Sequence, residues 1–379
     1  MKIGIDARLY GPEHTGLGRY VTNLVDNLIK IDRKNSYVLF VTKKHLSDFK
    51  SSSKLKIIEV NVPIYSFSEQ LTLPFIYGKE KLDLLHVPHF NAPILYWGKF
   101  IITLHDLIKH VSSGPATTTR PPFFNWIIRT AYYFETYVIT KRAKKIIVPS
   151  NYVKEDVIKT LKVDSSKIVV THEATSSSLI KRQLSLVEKQ KTLERYGLLQ
   201  PFLIYTGNVY PHKNIDLLIA AVAKHNFGKE VDLCLAIVCA RSVFWERTNK
   251  KITDLGVEDR VKMLGYVEDK ELSKLYSLAL ALVHPSKMEG FGLTGLEAMG
   301  VGLPVISSNT TSLPEVYGDA CLYFDPTSEE SLIEAIEKII KDSDLRIKLS
   351  KLGEIQAKKY SWSNTAKQTL VVYQTQEPK

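Results

Sequence analysis

Short apolar runs bounded by Gly, Pro, Asn and Asp alternate along this chain with longer segments whose apolar residues recur at helical spacing. Lys2–Asp6 (KIGID) reads as a first buried strand. Runs of the same kind follow at Tyr37–Thr42, Ile57–Val60, Leu84–His86, Phe100–Leu104, Lys145–Val148 and Ile168–Thr171. A second series comprises Phe202–Thr206, Leu233–Val238, Val261–Leu264, Ala281–Val283 and Val305-Ile306. Between the strands, Val21, Leu24, Val25, Leu28 and Ile29 mark one face of a helix that starts near Arg19. Other helices are expected at Asn151–Leu161, behind a Ser150 cap, at Glu329–Lys341, and from Tyr360-Ser361-Trp362 onward. Strand–helix alternation of this kind predicts an α/β chain of doubly wound parallel sheets. At 379 residues it is too long for one ordinary core. The polar segment Ser176–Lys191 marks the boundary, giving one domain over 1–180 and another over 190–360.

Parallel sheets bind ligands beyond the C-terminal ends of their strands, so the residues at those ends deserve the closest reading. In Ala281–Ser307 (ALVHPSKMEGFGLTGLEAMGVGLPVIS) a strand runs through a Gly-bearing turn into the helix-like LTGLEAMG. Unpaired amides and the helix dipole make such a turn an anion site. Glu289 stands before it; Glu297 stands about five residues into the helix, roughly 7 Å below its mouth. The alternative is a buried turn with surface glutamates. A second strand–glycine–helix passage contains Thr15-Gly16-Leu17-Gly18. It is no dinucleotide fingerprint, because the third glycine would fall on Val21 and the loop is too long. His105 follows the strand FIITL, and His86 and His89 follow another. Asn208 and Lys213 lie in the loop after Phe202–Thr206. On residues alone, His105 reads first as a cap on a buried turn and Lys213 as a solvated surface lysine.

Charge changes the picture more than composition does. Residues 1–200 hold 30 Lys+Arg against 17 Asp+Glu, a balance of +13, whereas 201–379 hold 21 against 23, or −2. A basic N-terminal half points to an acidic partner: nucleic acid, an anionic membrane or a phosphorylated acceptor. No nucleic-acid module is recognisable. Arg120–Lys145 (RPPFFNWIIRTAYYFETYVITKRAKK) combines dense aromatics with Lys141, Arg142, Lys144 and Lys145. It reads either as a core helix or as an amphipathic helix for a membrane interface. Three scattered cysteines without C-x-x-C indicate a reducing compartment and no zinc site. The N-terminus lacks a signal-peptide core and no stretch reaches 18 apolar residues, so a cytoplasmic protein is expected.

Glu289-Gly290-Phe291-Gly292-Leu293, Glu297-Ala298-Met299, Gly302 and Pro304-Val305-Ile306 resemble the E-x7-E signature region of the family 4 retaining glycosyltransferases. That resemblance implies the GT-B fold: two Rossmann-like domains facing a cleft, with the last helix, about 361–379, crossing back to the N-terminal domain. It implies that Gly16 and Gly18 face the donor phosphates and that His105 contacts the donor sugar. Gly207, Lys213 and Asn214 match the family's phosphate loop, whose lysine neutralises the leaving group. Asn208 stands where many members carry Arg. Gly265-Tyr266-Val267 would line the nucleobase pocket, and the amides of Gly290, Phe291, Gly292 and Leu293 would meet the diphosphate. Glu289 would hold the sugar hydroxyls and Glu297 the ribose. No metal and no cofactor are implied.

GIDAR, TGLGRYV and PHKN look most like mannosyltransferases of bacterial surface-polysaccharide assembly. This favours GDP-mannose as donor, with a UDP-sugar as the alternative, and a glycan or lipid-diphosphate-linked acceptor. His86 and His89 are the acceptor-side candidates. The basic half then suits a peripheral position on the inner face of the cytoplasmic membrane. Other classes stay open: an epimerase or phosphorylase on the same fold, or a non-catalytic subunit that binds glycan precursors.

Overall fold

The computed structural model describes residues 1–111, 122–175, 179–226 and 232–377. Two compact units emerge, Met1–Glu173 with Ser361–Lys379, and Ala174–Tyr360. In the first unit the strands are β1 (Lys2–Asp6), β2 (Ser36–Val41), β3 (Leu55–Glu59), β4 (Leu84–Val87), β5 (Phe100–Thr103), β6 (Ile146–Val148) and β7 (Ile168–Val170). They form one parallel sheet in the order β3-β2-β1-β4-β5-β6-β7, with Ile3 in register with Tyr37 on one side and Leu84 on the other. Apart from the edge strand β3, where Lys56 and Glu59 are exposed, these strands are largely buried on both faces and need no polar alternation, which is why they read as near-continuous apolar runs. Helices α1 (Thr15–Ile31), α2 (Phe67–Lys79), α3 (Ile108–Val111), α4 (Pro122–Arg142) and α5 (Asn151–Leu161) cover the sheet. Ser150 caps α5 by accepting from the Val153 amide.

The second unit holds β8 (Phe202–Thr206), β9 (Cys234–Val238), β10 (Val261–Gly265), β11 (Ala281–His284), β12 (Val305–Ser308) and β13 (Leu322–Phe324). Their order is β10-β9-β8-β11-β12-β13, again all parallel. Its helices are α6 (Leu186–Tyr196), α7 (Ile215–Asn226), α8 (Val243–Asp254), α9 (Asp269–Leu278), α10 (Leu293–Gly300), α11 (Leu313–Tyr317), α12 (Glu329–Lys341) and α13 (Ser343–Lys358). The last helix, α14 (Trp362–Gln374), belongs to the first unit and packs on α1. The strand order reverses between β1 and β4 in unit 1 and between β8 and β11 in unit 2. Crevices open at such switch points.

Two expectations change. The helix expected from Arg19 starts four residues earlier, at Thr15, so Gly16 and Gly18 occupy its first turn and not a loop. A Cβ at Gly18 would overlap the Gly11 carbonyl, so close packing, which propensity does not register, lets the helix begin there. The second change concerns α4, for which two readings were open. Phe123, Phe124, Trp126, Phe134 and Tyr137 are exposed, whereas Thr136, Ile139, Thr140 and Ala143 are buried. Its aromatic stripe faces outward. Alongside it, α2 exposes Phe67, Leu71 and Phe75 at successive helical turns, with Phe67 at 81% and Phe75 at 74%. Gln70 of α2 donates to Glu135 of α4 at 2.8 Å and accepts from the Ile94 amide at 2.7 Å. Arg142 bonds the Ile94 and Tyr96 carbonyls and lies over Trp97, which is 87% exposed. These segments therefore share one apolar and basic surface. Among the described residues no helix is long and apolar enough to cross a membrane.

Candidate active site

At the unit 2 switch point the chain leaves β8 through Gly207, held at φ 134, and makes a 3-10 turn at Pro211–Lys213 before α7. Asn214 ends that turn in the left-handed region and anchors it by donating to the Pro326 carbonyl at 3.0 Å. Next door, β11 ends at His284, and the following turn carries Ser286 and Glu289 to the N-terminus of α10. One carboxylate oxygen gathers the whole group. Glu289 Oε1 lies 2.6 Å from Lys213 Nζ, 2.7 Å from His284 Nε2 and 2.7 Å from Ser286 Oγ. Burial by itself would raise the Glu289 carboxyl, but the Lys213 charge and the bond and charge of His284 hold it well below the carboxylate range. His212, beside Lys213, is pushed down to about 4 by burial and by that lysine, so it stays neutral.

Glycine at 292 serves a local purpose. As the residue preceding α10 it adopts φ 102, and a Cβ there would stand 2.6 Å from the Tyr317 hydroxyl; one on Gly295 would overlap it too. Tyr317 Oη donates to the Gly292 carbonyl at 2.6 Å and lies 2.7 Å from His284 Nδ1. The two glycines thus seat a phenol under the helix mouth. Gly292 brings no side-chain cap to α10, and of the first-turn amides Gly295 meets the Tyr317 hydroxyl, so Leu293 and Thr294 are the ones placed for an anion. Gly290 and Phe291 are buried in this turn, and Leu293 opens the helix half-buried. Glu297 is 3% exposed in α10. Asn208 is half-buried after β8, its carbonyl accepting from Tyr205 at 2.5 Å. Gly265 ends β10 at φ 73; Tyr266 beyond it is exposed and Val267 buried.

Gly16, Gly18, His86, His89 and His105 belong to unit 1, and the remaining donor-side candidates belong to unit 2. His105 follows β5, with Nδ1 2.8 Å from Glu173 Oε1 and Nε2 3.2 Å from the Pro88 carbonyl. Both neighbours only accept, so both ring nitrogens donate and the ring is an imidazolium. Burial would lower its pKa; the bond and charge of Glu173 outweigh that and raise it. Tyr20 of α1 meets the ring edge-on at 4.5 Å. Glu173 escaped the sequence reading because its partner lies 68 residues away. His86, considered for the acceptor side, is a core residue: it is fully buried between Tyr373 Oη at 2.7 Å and Thr103 Oγ1 at 2.9 Å, and burial lowers its pKa to about 3. His89 instead lines a small pocket at the β1/β4 switch with Asp6, Arg8, Leu9 and Asn91.

Among the described residues no three His, Cys, Asp or Glu side chains group as a metal site. The one Asp-x-Asp, Asp342-Ser343-Asp344, is a helix cap, with Asp342 accepting from the Leu345 amide at 2.8 Å.

Two doubly wound units, with a cation–carboxylate cluster beside a helix N-terminus, agree with the class of GT-B glycosyltransferases. The family model described as "Glycosyl transferases group 1" matches residues 188–356, and that of "Glycosyltransferase Family 4" matches 14–176. The chain belongs to this glycosyltransferase family. It is 35% identical to the O-antigen chain mannosyltransferase B of Escherichia coli, across 95% of this chain and 96% of that one. It is 29% identical to the O-antigen chain mannosyltransferase RfbU of Salmonella typhimurium, across 81% and 77%. Among solved structures, sucrose-phosphate synthase of Thermosynechococcus elongatus superposes with a TM-score of 0.78 at 20% identity, over 99% of this chain and 98% of that one.

Proposed function

We propose that this enzyme is a retaining mannosyltransferase that moves mannose from GDP-mannose to a glycan or lipid-diphosphate-linked acceptor in cell-envelope polysaccharide synthesis. The observation that carries the reading is the Lys213–Glu289 pair set against the mouth of α10 at the β8/β11 switch. Lys213 and the first amides of α10 receive the donor diphosphate and stabilise the charge that grows on it as the sugar departs. Glu289 holds sugar hydroxyls and supports the cationic sugar, Glu297 takes the ribose, and the Gly265–Val267 backbone meets the base. His105, a fixed imidazolium, orients the sugar. With no carboxylate assigned as a covalent nucleophile, the leaving phosphate takes the acceptor's proton, and the new bond forms on the same face. The names of the two O-antigen relatives support mannose as the sugar.

The acceptor's lipid would bring the enzyme to the inner face of the cytoplasmic membrane. Exposed aromatics of α2 and α4, Trp97, and the basic run Lys141–Lys145 support that placement. Each basic residue near an anionic surface contributes about 1 kcal/mol, so the four cations there suffice for reversible binding.

The test is a panel of nucleotide sugars read by thermal shift, followed by transfer and NMR of the product's anomeric centre. GDP-mannose is expected to raise the melting temperature most and to give an α-linked product. Stabilisation by UDP-sugars alone, or an inverted product, overturns the donor or the stereochemistry. Sedimentation with anionic vesicles should fall steeply with salt; indifference to vesicles at low salt rules out the membrane.

A further inference from the structure

The hydrogen bonds around His284 fix its proton count. Tyr317 has one hydroxyl proton, and the Gly292 carbonyl at 2.6 Å takes it, because a carbonyl can only accept. Burial keeps that phenol from ionising. His284 Nδ1, 2.7 Å from the same oxygen, must therefore donate to it. Nε2 lies 2.7 Å from Glu289 Oε1, a carboxylate oxygen that accepts from Lys213 and Ser286 as well. It too must donate. A neutral ring would set a lone pair against either the phenol oxygen or the carboxylate.

The charge count follows. Lys213 and His284 bring two positive charges to one carboxylate, leaving the cluster at +1 before any ligand arrives. Of the titratable groups around it, Tyr205 of β8 and Tyr317 of α11 stay protonated and His212 beside Lys213 stays neutral, so none of these three alters the sum. Lys213 is the more exposed cation, with 20% of its side chain accessible, against 4% for His284.

We infer that His284 is a positioning residue held doubly protonated: with Ser286 it keeps Glu289 paired when Lys213 turns to the donor diphosphate, and it supplies the second positive charge that Asn208 does not. The inference rests on the reading of Lys213 and Glu289 as the donor site. Without His284 as a cation, the departure of Lys213 would leave a buried carboxylate facing an incoming anion. Buried charges stripped of partners are costly. Lys213 would then stay on Glu289, and the diphosphate would lose its lysine.

Histidine-selective 15N NMR on the whole protein, with the His284 signal assigned by its loss in His284→Gln, reads the proton count. Titration of wild type and His284→Gln with GDP and with UDP reads the consequence. Both ring nitrogens of His284 are expected to be protonated at neutral pH. In His284→Gln, with an unchanged melting curve, affinity should be weaker by about tenfold, the scale of one hydrogen bond to a charged group. A single-tautomer neutral ring, or equal affinities in wild type and His284→Gln, overturns the inference while leaving the donor site standing. Failure of the wild type to bind either nucleotide overturns the donor reading, and the inference with it.

Discussion

The two switch points of this molecule carry inverse ionic clusters. At β1/β4 in unit 1 one cation serves two carboxylates: Arg8 Nη2 lies 2.7 Å from Asp6 Oδ2 and 2.7 Å from Glu69 Oε1, all of them buried. At β8/β11 in unit 2 two cations serve one carboxylate, Lys213 and His284 on Glu289. The first nets −1 and the second +1. Topology supplies a crevice in both places; the charge count decides what each can take. An incoming diphosphate would meet a net positive charge beside a helix N-terminus in unit 2. In unit 1 it would meet excess carboxylate. The second difference is closure. Asp6 also accepts from Tyr77 at 2.9 Å, and Glu69 from Asn91 at 2.7 Å, so every arm of the unit 1 cluster is tied into the core. Lys213, by contrast, remains partly accessible.

This contrast can be broken at either end. The largest effect is expected at Arg8, where Arg8→Met would leave Asp6 and Glu69 buried together without their cation. Breaking a buried pair in this way costs about 3–5 kcal/mol, readable as a lower midpoint in denaturant. The Asp6 carboxyl, which burial would raise but which Arg8 holds low, should at the same time titrate at higher pH. In the wild type Asp6 contributes stability above its unfolded pKa that is lost as pH falls through the folded value; in the variant that contribution is gone. A midpoint unchanged by Arg8→Met would mean that the unit 1 cluster is not a structural knot.

Lys213→Ala is the opposite experiment and the smaller one. Glu289 keeps His284 and Ser286, so the unfolding midpoint should barely move. GDP affinity should drop by about tenfold, since one charge-assisted contact to the diphosphate is lost. Calorimetric titration distinguishes the cases: unchanged affinity would make Lys213 an ordinary surface lysine paired with a glutamate.

Much of the fold was legible because parallel strands buried on both faces leave continuous apolar runs. KIGID and Phe202–Thr206 coincide with β1 and β8, and LTGLEAMG with α10. Local propensity failed at Thr15–Gly18, where glycines look like a loop but permit close packing under a helix start. α4 could not be oriented from its sequence, since aromatics occupy nearly every face and periodicity then names none. Within the site, Glu289 was named from its place before a helix start and Lys213 from the family resemblance, since on residues alone that lysine read as solvated. His284 was not, because a histidine closing an apolar strand resembles a core residue. A signal was nevertheless present: His284, Ser286 and Glu289 recur within six residues of a strand end, spaced so that all three side chains meet at one oxygen. Glu173 left no such trace, and only the folded chain brings it to His105.

The central claim is that the cluster on Glu289 is where transfer occurs. Its most direct test is turnover of GDP-mannose with an O-antigen-type acceptor by Glu289→Ala, with folding verified by circular dichroism and thermal unfolding. Removal of a preorganised contact to the transition state predicts a loss of at least ~100-fold in rate from a folded protein. Transfer at the wild-type rate by that variant would contradict the account.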